Sequence, residues 1–121
     1  MIKVNILKGD RVMRFKILHT NDVHSRFENF ARITTKIKEL KDENTLILDA
    51  GDYHDFKDVM LQGTMGKAGP ELLLEAGYDA IVIGNNEGFE GLEILDSITI
   101  KHFFTFWVWI RLIIKTRFKR N

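Results

Sequence analysis

The 121-residue chain contains no cysteine and a single proline. Without cysteine there are no disulfides, no thiolate metal ligands and no thiol nucleophile, and the composition agrees with a reducing, cytoplasmic setting. No apolar stretch reaches the roughly 20 residues that a membrane span requires. The opening "MIKVNILKGDRVMRF" lacks an apolar region of signal-peptide length and a cleavage signature, so export is not expected. The net charge of +1 gives no case for a nucleic-acid polymer as partner. A chain of this length forms at most one small domain, with a thin margin of buried surface.

Acid is absent from one place in particular. All 17 acidic residues lie within residues 1–96, beside 12 of the 18 basic ones, whereas residues 97–121 hold six basic residues and no acid. That terminal stretch, "SITIKHFFTFWVWIRLIIKTRFKRN", carries both tryptophans and six of the 13 aromatic residues. Lys101, His102 and Arg111 interrupt it. Two readings fit: an amphipathic membrane-surface anchor, or out-of-frame coding appended to a truncated domain. The second fits better, because nothing in residues 1–96 prepares a partner for so much aromatic surface. The chain therefore divides into an N-terminal extension (1–13), a main body (14–96) and an atypical tail (97–121).

Within the body, "RFKILH" alternates and predicts a strand over about 14–19. Phe27, Phe30, Ile33, Ile37 and Leu40 recur at three- and four-residue steps, an amphipathic helix to about Lys41 whose stripe is core packing. "TLILDA" (45–50) is a short apolar run of the kind found in buried parallel strands. Residues 51–69 read as a loop rich in glycine and charge. Pro70 suits the first turn of a following helix, Glu71 favours its positive end and Gly77 suits the residue just past it. "DAIVIG" (79–84) predicts a third strand. The alternation implies an α/β fold with a mostly parallel sheet flanked by helices.

Each of the three strands ends in polar residues: Asp22 and His24 after the first, Asp49 and Asp52 around the end of the second, and Asn85, Asn86 and Glu87 after the third. Open parallel sheets bind ligands outside the carboxyl ends of their strands. Carboxylate, imidazole and amide oxygen together suit hard-to-borderline divalent cations. Taken alone, "GNNE" reads better as a turn; beside the other two clusters it reads as a ligand-bearing strand end. His19, His54 and His102 read as non-ligands. "GTMGKAG" (63–69) lacks phosphate-loop spacing and reads as a flexible loop. Asp55, Asp58, Glu90 and Glu93 read as solvated, with Asp55 within reach of the rim.

Asp-Val-His (22–24), Gly-Asp (51–52) and Gly-Asn-Asn-Glu (84–87), in that order, resemble the calcineurin-like metallophosphoesterases. "LHTNDVHSRFE", "LDAGD" and "GYDAIVIGNNE" look most like the 5′-nucleotidase branch. The resemblance covers about residues 15–95 and implies a partial metallophosphoesterase fold. It further implies two divalent cations, of the Mn, Zn, Fe or Mg class, that hydrolyse a nucleotide or similar phosphomonoester with an activated water. By motif position Asp22 and His24 hold one cation, Asp52 bridges, Asn85 holds the second, and Asn86 positions phosphate. Two departures stand out. Asn86 occupies the place of a family histidine, and Phe89 that of an aspartate that supports it in the nucleotidase branch. The family also draws further histidine ligands from a second half of the domain, which has no counterpart after Glu87. The implied alternative is a non-catalytic remnant, or a half-domain that pairs with another chain.

Overall fold

The computed structural model describes residues 1–8 and 10–99. Its elements run β1 (Ile2–Lys8), β2 (Arg11–Thr20), α1 (Phe27–Leu40), β3 (Thr45–Asp49), α2 (Val59–Gly63), α3 (Ala68–Glu75), β4 (Ala80–Ile81), α4 (Asn85–Phe89) and α5 (Leu92–Thr99). They form one four-stranded sheet in the order β1-β2-β3-β4. β1 is antiparallel to β2, while β2, β3 and β4 are mutually parallel. The mostly parallel α/β architecture implied by the alternating pattern is the one found.

Register fixes where the polar residues emerge. Thr20 pairs with Asp49, and Asp49 with Ile81, so the three parallel strands end at one level. The backbone pairing of β2 with β3 then continues past the strands. The amide of Ala50 donates to the Thr20 carbonyl at 2.9 Å, that of Asp22 to Gly51 at 3.1 Å and that of His24 to Asp52 at 3.1 Å. The loop after β2 is thereby laid alongside the loop after β3.

The core lies on the sheet face that carries Leu18, Ile47 and Ile81. Phe30 and Ile37 of α1, Leu73 of α3, and Leu95 and Ile98 of α5 complete it, with Tyr53 and Tyr78 from the loops. The stripe expected of α1 is this packing face: Phe30 and Ile37 are buried, and Phe27, Ile33 and Leu40 pack against them. Phe30 meets Tyr53 edge to face, with centroids 5.0 Å apart, a geometry that favours aromatic pairs beyond the area they bury.

Several elements differ from the pattern reading. The extension 1–13 is a hairpin arm, with Ile2 opposite Ile17 and Val4 opposite Phe15. Residues 51–69 are not all loop, since α2 forms within them, its first amides capped by Asp58. The third strand shrinks to Ala80–Ile81, because the backbone leaves the sheet before Gly84. "GNNE" ends no strand; it opens α4 with Gly84 as N-cap. The run at 45–49 is covered on one face only: Ile47 is fully buried while Leu46 is 42% exposed. Ser97 and Ile98 belong to α5, and Ile98 is fully buried in the core. The rest of the tail, from residue 100, lies outside the described residues.

Candidate metal centre

Asp22, His24 and Asp52 meet at the carboxyl end of the parallel strands. One ligand atom from each lies within 4.8 Å of the other two. His24 Nε2 stands 3.5 Å from Asp22 Oδ1, both side chains being partly open to solvent. The backbone that presents them is unusual: Asp22, His24, Ser25 and Asp52 all adopt left-handed conformations, with φ between 50° and 53°. Each such residue costs about 1–2 kcal/mol without glycine's freedom, and strain of this kind concentrates at functional sites.

The loops of β3 and β4 are pressed together behind the donors. Gly51 has φ +105°, and a Cβ there would lie 2.9 Å from the Gly84 amide. A Cβ at Gly84 would collide with the Asp52 carboxylate and amide. The Asn86 amide donates to Asp52 Oδ1 at 2.9 Å, so the start of α4 orients the Asp52 carboxylate. The Asn86 side chain lies against His24, its Nδ2 being 3.1 Å from His24 Nδ1. Asn85 is exposed and donates from its own amide to Asn86 Oδ1 at 3.3 Å. Its side chain is thus turned toward Asn86.

Two buried carboxylates back the rim. Asp49, 1% exposed, accepts from Thr20 Oγ1 at 2.5 Å and from the Gly51 amide at 3.0 Å, and Thr20 in turn meets the Tyr78 hydroxyl at 2.9 Å. Burial pushes the Asp49 carboxyl up to about 6 and the Tyr78 hydroxyl up to about 12. Glu87 is fully buried against His54. Burial alone would raise its pKa, but hydrogen bonds from the His54 ring and amide hold it below the usual carboxylate range. The pattern reading placed Glu87 only within the polar motif at the third strand's end and read His54 as a non-ligand. One signal was available: Gly84-x-x-Glu87 has capping-box spacing, and the Gly84 amide does donate to Glu87 Oε2 at 2.8 Å.

The donor chemistry fits a divalent cation. Two carboxylates and an imidazole suit hard-to-borderline ions, and carboxylates this close repel unless a cation lies between them. A cavity of about 400 Å³ reaches one of the donors, His24, and is lined also by Asn86, Asp55, Lys57 and Phe89 among others. A larger one, about 460 Å³, is lined by Lys3, Asn5, Arg14 and Lys16 and shares none of the donors. Among the remaining described histidines, His19 is exposed on β2 and His54 is buried. Asp58 is engaged as the cap of α2.

Comparison with known proteins agrees with this geometry. Residues 15–116 match the family model described as calcineurin-like phosphoesterase. The chain is 38% identical over 81 residues to an uncharacterized metallophosphoesterase, YunD, of Bacillus subtilis, covering 62% of this chain and 18% of that protein. It is 34% identical over 90 residues to the trifunctional nucleotide phosphoesterase YfkN of the same organism, covering 73% of this chain and 6% of the relative. To the 5′-nucleotidase of Rattus norvegicus it is 34% identical over 102 residues, covering 64% of this chain and 16% of the relative. The chain therefore spans less than a fifth of the length of each of these relatives. Among the described residues no helix is long and apolar enough to cross a membrane. With a family match over residues 15–116, which runs through all three motifs, the chain belongs to the calcineurin-like phosphoesterases.

Proposed function

We propose that this chain carries the first part of a metal-dependent phosphoesterase of 5′-nucleotidase type, acting on nucleotides or similar phosphomonoesters. The convergence of Asp22, His24 and Asp52 within 4.8 Å is the observation that supports it most. Asp22 and His24 would hold one cation, Asp52 would be shared, and Asn85, whose amide nitrogen donates to Asn86, would reach the second through its amide oxygen. When bound, such a cation pair supplies an activated water and offsets charge on the phosphoryl oxygens. Asn86 orients the phosphoryl group through its amide and holds the His24 ring by the contact at 3.1 Å. An amide cannot relay a proton, so proton transfer to the leaving group has no side chain at this position. The loss of a general acid of this kind typically costs about 10²–10⁴ in rate.

A second reading is favoured by one observation, that the chain spans less than a fifth of each relative's length. In it, Asp22, His24 and Asp52 are half of a coordination sphere, and the remaining ligands come from a partner segment. Phosphate release from AMP with Mn²⁺ separates the two. Sustained turnover by the full chain, abolished in Asp52→Ala, supports the self-sufficient enzyme. Mn²⁺ binding without turnover supports the half-domain.

A further inference from the structure

Asp52 and Asn86 sit on different segments, one after β3 and one at the start of α4, and besides the direct bond from the Asn86 amide to Asp52 a buried side chain ties them together. The fully buried Glu87 accepts four hydrogen bonds. Its Oε2 takes the amides of Asp52 at 3.1 Å and Gly84 at 2.8 Å. Its Oε1 takes the amide of His54 at 2.9 Å and the ring Nδ1 of His54 at 3.0 Å. All four donors flank the metal-binding turns, and one of them is the backbone of Asp52 itself, held at φ 53°.

His54 is a poor choice as mere filling. It is fully buried, its Nε2 has no hydrogen-bond partner, and Gly69 packs so closely on that nitrogen that a Cβ there would collide. The ring stacks on Phe56 at 5.7 Å and 12°, and meets Tyr53 edge-on at 5.5 Å. Replacing both members of a buried polar pair by apolar groups of the same shape is often neutral or stabilising, so stability alone does not call for a histidine and a carboxylate here. What an apolar side chain cannot do is donate to Glu87.

We infer that His54 and Glu87 are positioning residues of the metal centre. Through hydrogen bonds to both loops, the pair holds Asp52 in its left-handed conformation and sets the spacing between Asp52 and the start of α4. This rests on Asp22, His24 and Asp52 being cation ligands. Groups that orient metal ligands in this way typically change metal affinity about 10–100-fold when removed.

Mn²⁺ titration of the full chain by calorimetry, with thermal unfolding of the metal-free protein alongside, tests it. His54→Leu should weaken Mn²⁺ binding about 10–100-fold while the metal-free protein still unfolds cooperatively. His54→Asn, whose amide nitrogen takes the place of Nδ1, should recover most of that loss. Should His54→Leu not fold, Glu87→Gln carries the same comparison, since it keeps the size but turns one accepting oxygen into a donor. Unchanged Mn²⁺ affinity in the folded variants overturns the inference, as does His54→Asn binding no better than His54→Leu. An unsubstituted chain that binds no Mn²⁺, or an Asp52→Ala variant that binds it normally, instead overturns the metal-centre reading and this inference with it.

Discussion

Asp49 shows how a residue outside the donor group can shape the behaviour of the site. It closes β3 on the buried side, and burial outweighs its bonds from Thr20 and Gly51 to bring its carboxyl from 3.8 to about 6. A carboxyl raised on folding binds its proton more tightly in the folded chain than in the unfolded one. Its contribution to stability is therefore fully present below pH 3.8 and is lost as pH rises through about 6. Two pK units correspond to about 3 kcal/mol. An Asp49→Asn variant keeps the shape without the charge, so its stability relative to the parent should improve by about 2–3 kcal/mol between pH 4 and pH 7. Denaturant unfolding of both proteins at the two pH values reads this directly; a constant difference would mean that Asp49 titrates alike in both states. Gly84 makes a second residue-scale case. Its φ of −82° suits any residue, so a substitution there is opposed by space alone. Gly84→Ala drives a methyl group into the Asp52 carboxylate and amide, and overpacking of this kind costs about 1–3 kcal/mol. The expected outcome is a lower denaturation midpoint together with weaker Mn²⁺ binding, because the atom that must move is on Asp52.

At the scale of elements, α2 has only five residues, from Val59 to Gly63, and depends on its cap. Asp58 Oδ1 accepts from the amides of Met60 at 2.9 Å and Leu61 at 3.2 Å. Asp58→Ala should destabilise the protein by about 1 kcal/mol, measured as a shift in denaturation midpoint at unchanged slope, with Mn²⁺ affinity unaltered. This helix also marks the limit of reading elements from pattern. α1 was legible because 14 residues give its apolar stripe several turns in which to repeat. One turn of α2 offers no period, and its aspartate cap read as a solvated charge. The hairpin arm shows in the sequence only as the alternation of Ile2, Val4 and Ile6, too short and too close to the chain's start to stand out from an extension. At the site, the meeting of Asp22, His24 and Asp52 was legible because polar residues at the ends of neighbouring parallel strands come to one rim, and motif position singled these three out from Asp49 beside them. His54 and Glu87 were not, because their pairing spans 33 residues and a buried imidazole–carboxylate contact leaves no local pattern.

At the scale of the whole molecule, a small chain with no disulfide has few means of support beyond its core. The core occupies one face of the sheet. On the other, Phe15, Ile17, Leu46 and Leu48 stand outside the main cluster, with Leu46 42% exposed. Small domains commonly gain stability from a metal ion that only the folded state can grip. Here the three donors come from loops after β2 and β3, brought together only once those strands pair. An ion bound at Asp22, His24 and Asp52 would thus join segments that the unfolded chain leaves apart. Ligand held only by the folded state stabilises by about 2.7 kcal/mol at a hundredfold excess over Kd. For a domain of this size that is a rise of several degrees or more in Tm. Adding Mn²⁺ should therefore raise the Tm of the full chain in a concentration-dependent way, EDTA should reverse it, and Asp52→Asn should abolish it while leaving the metal-free Tm nearly unchanged. A Tm indifferent to Mn²⁺ across a range that includes millimolar metal would mean that the two loops meet for packing and not for an ion.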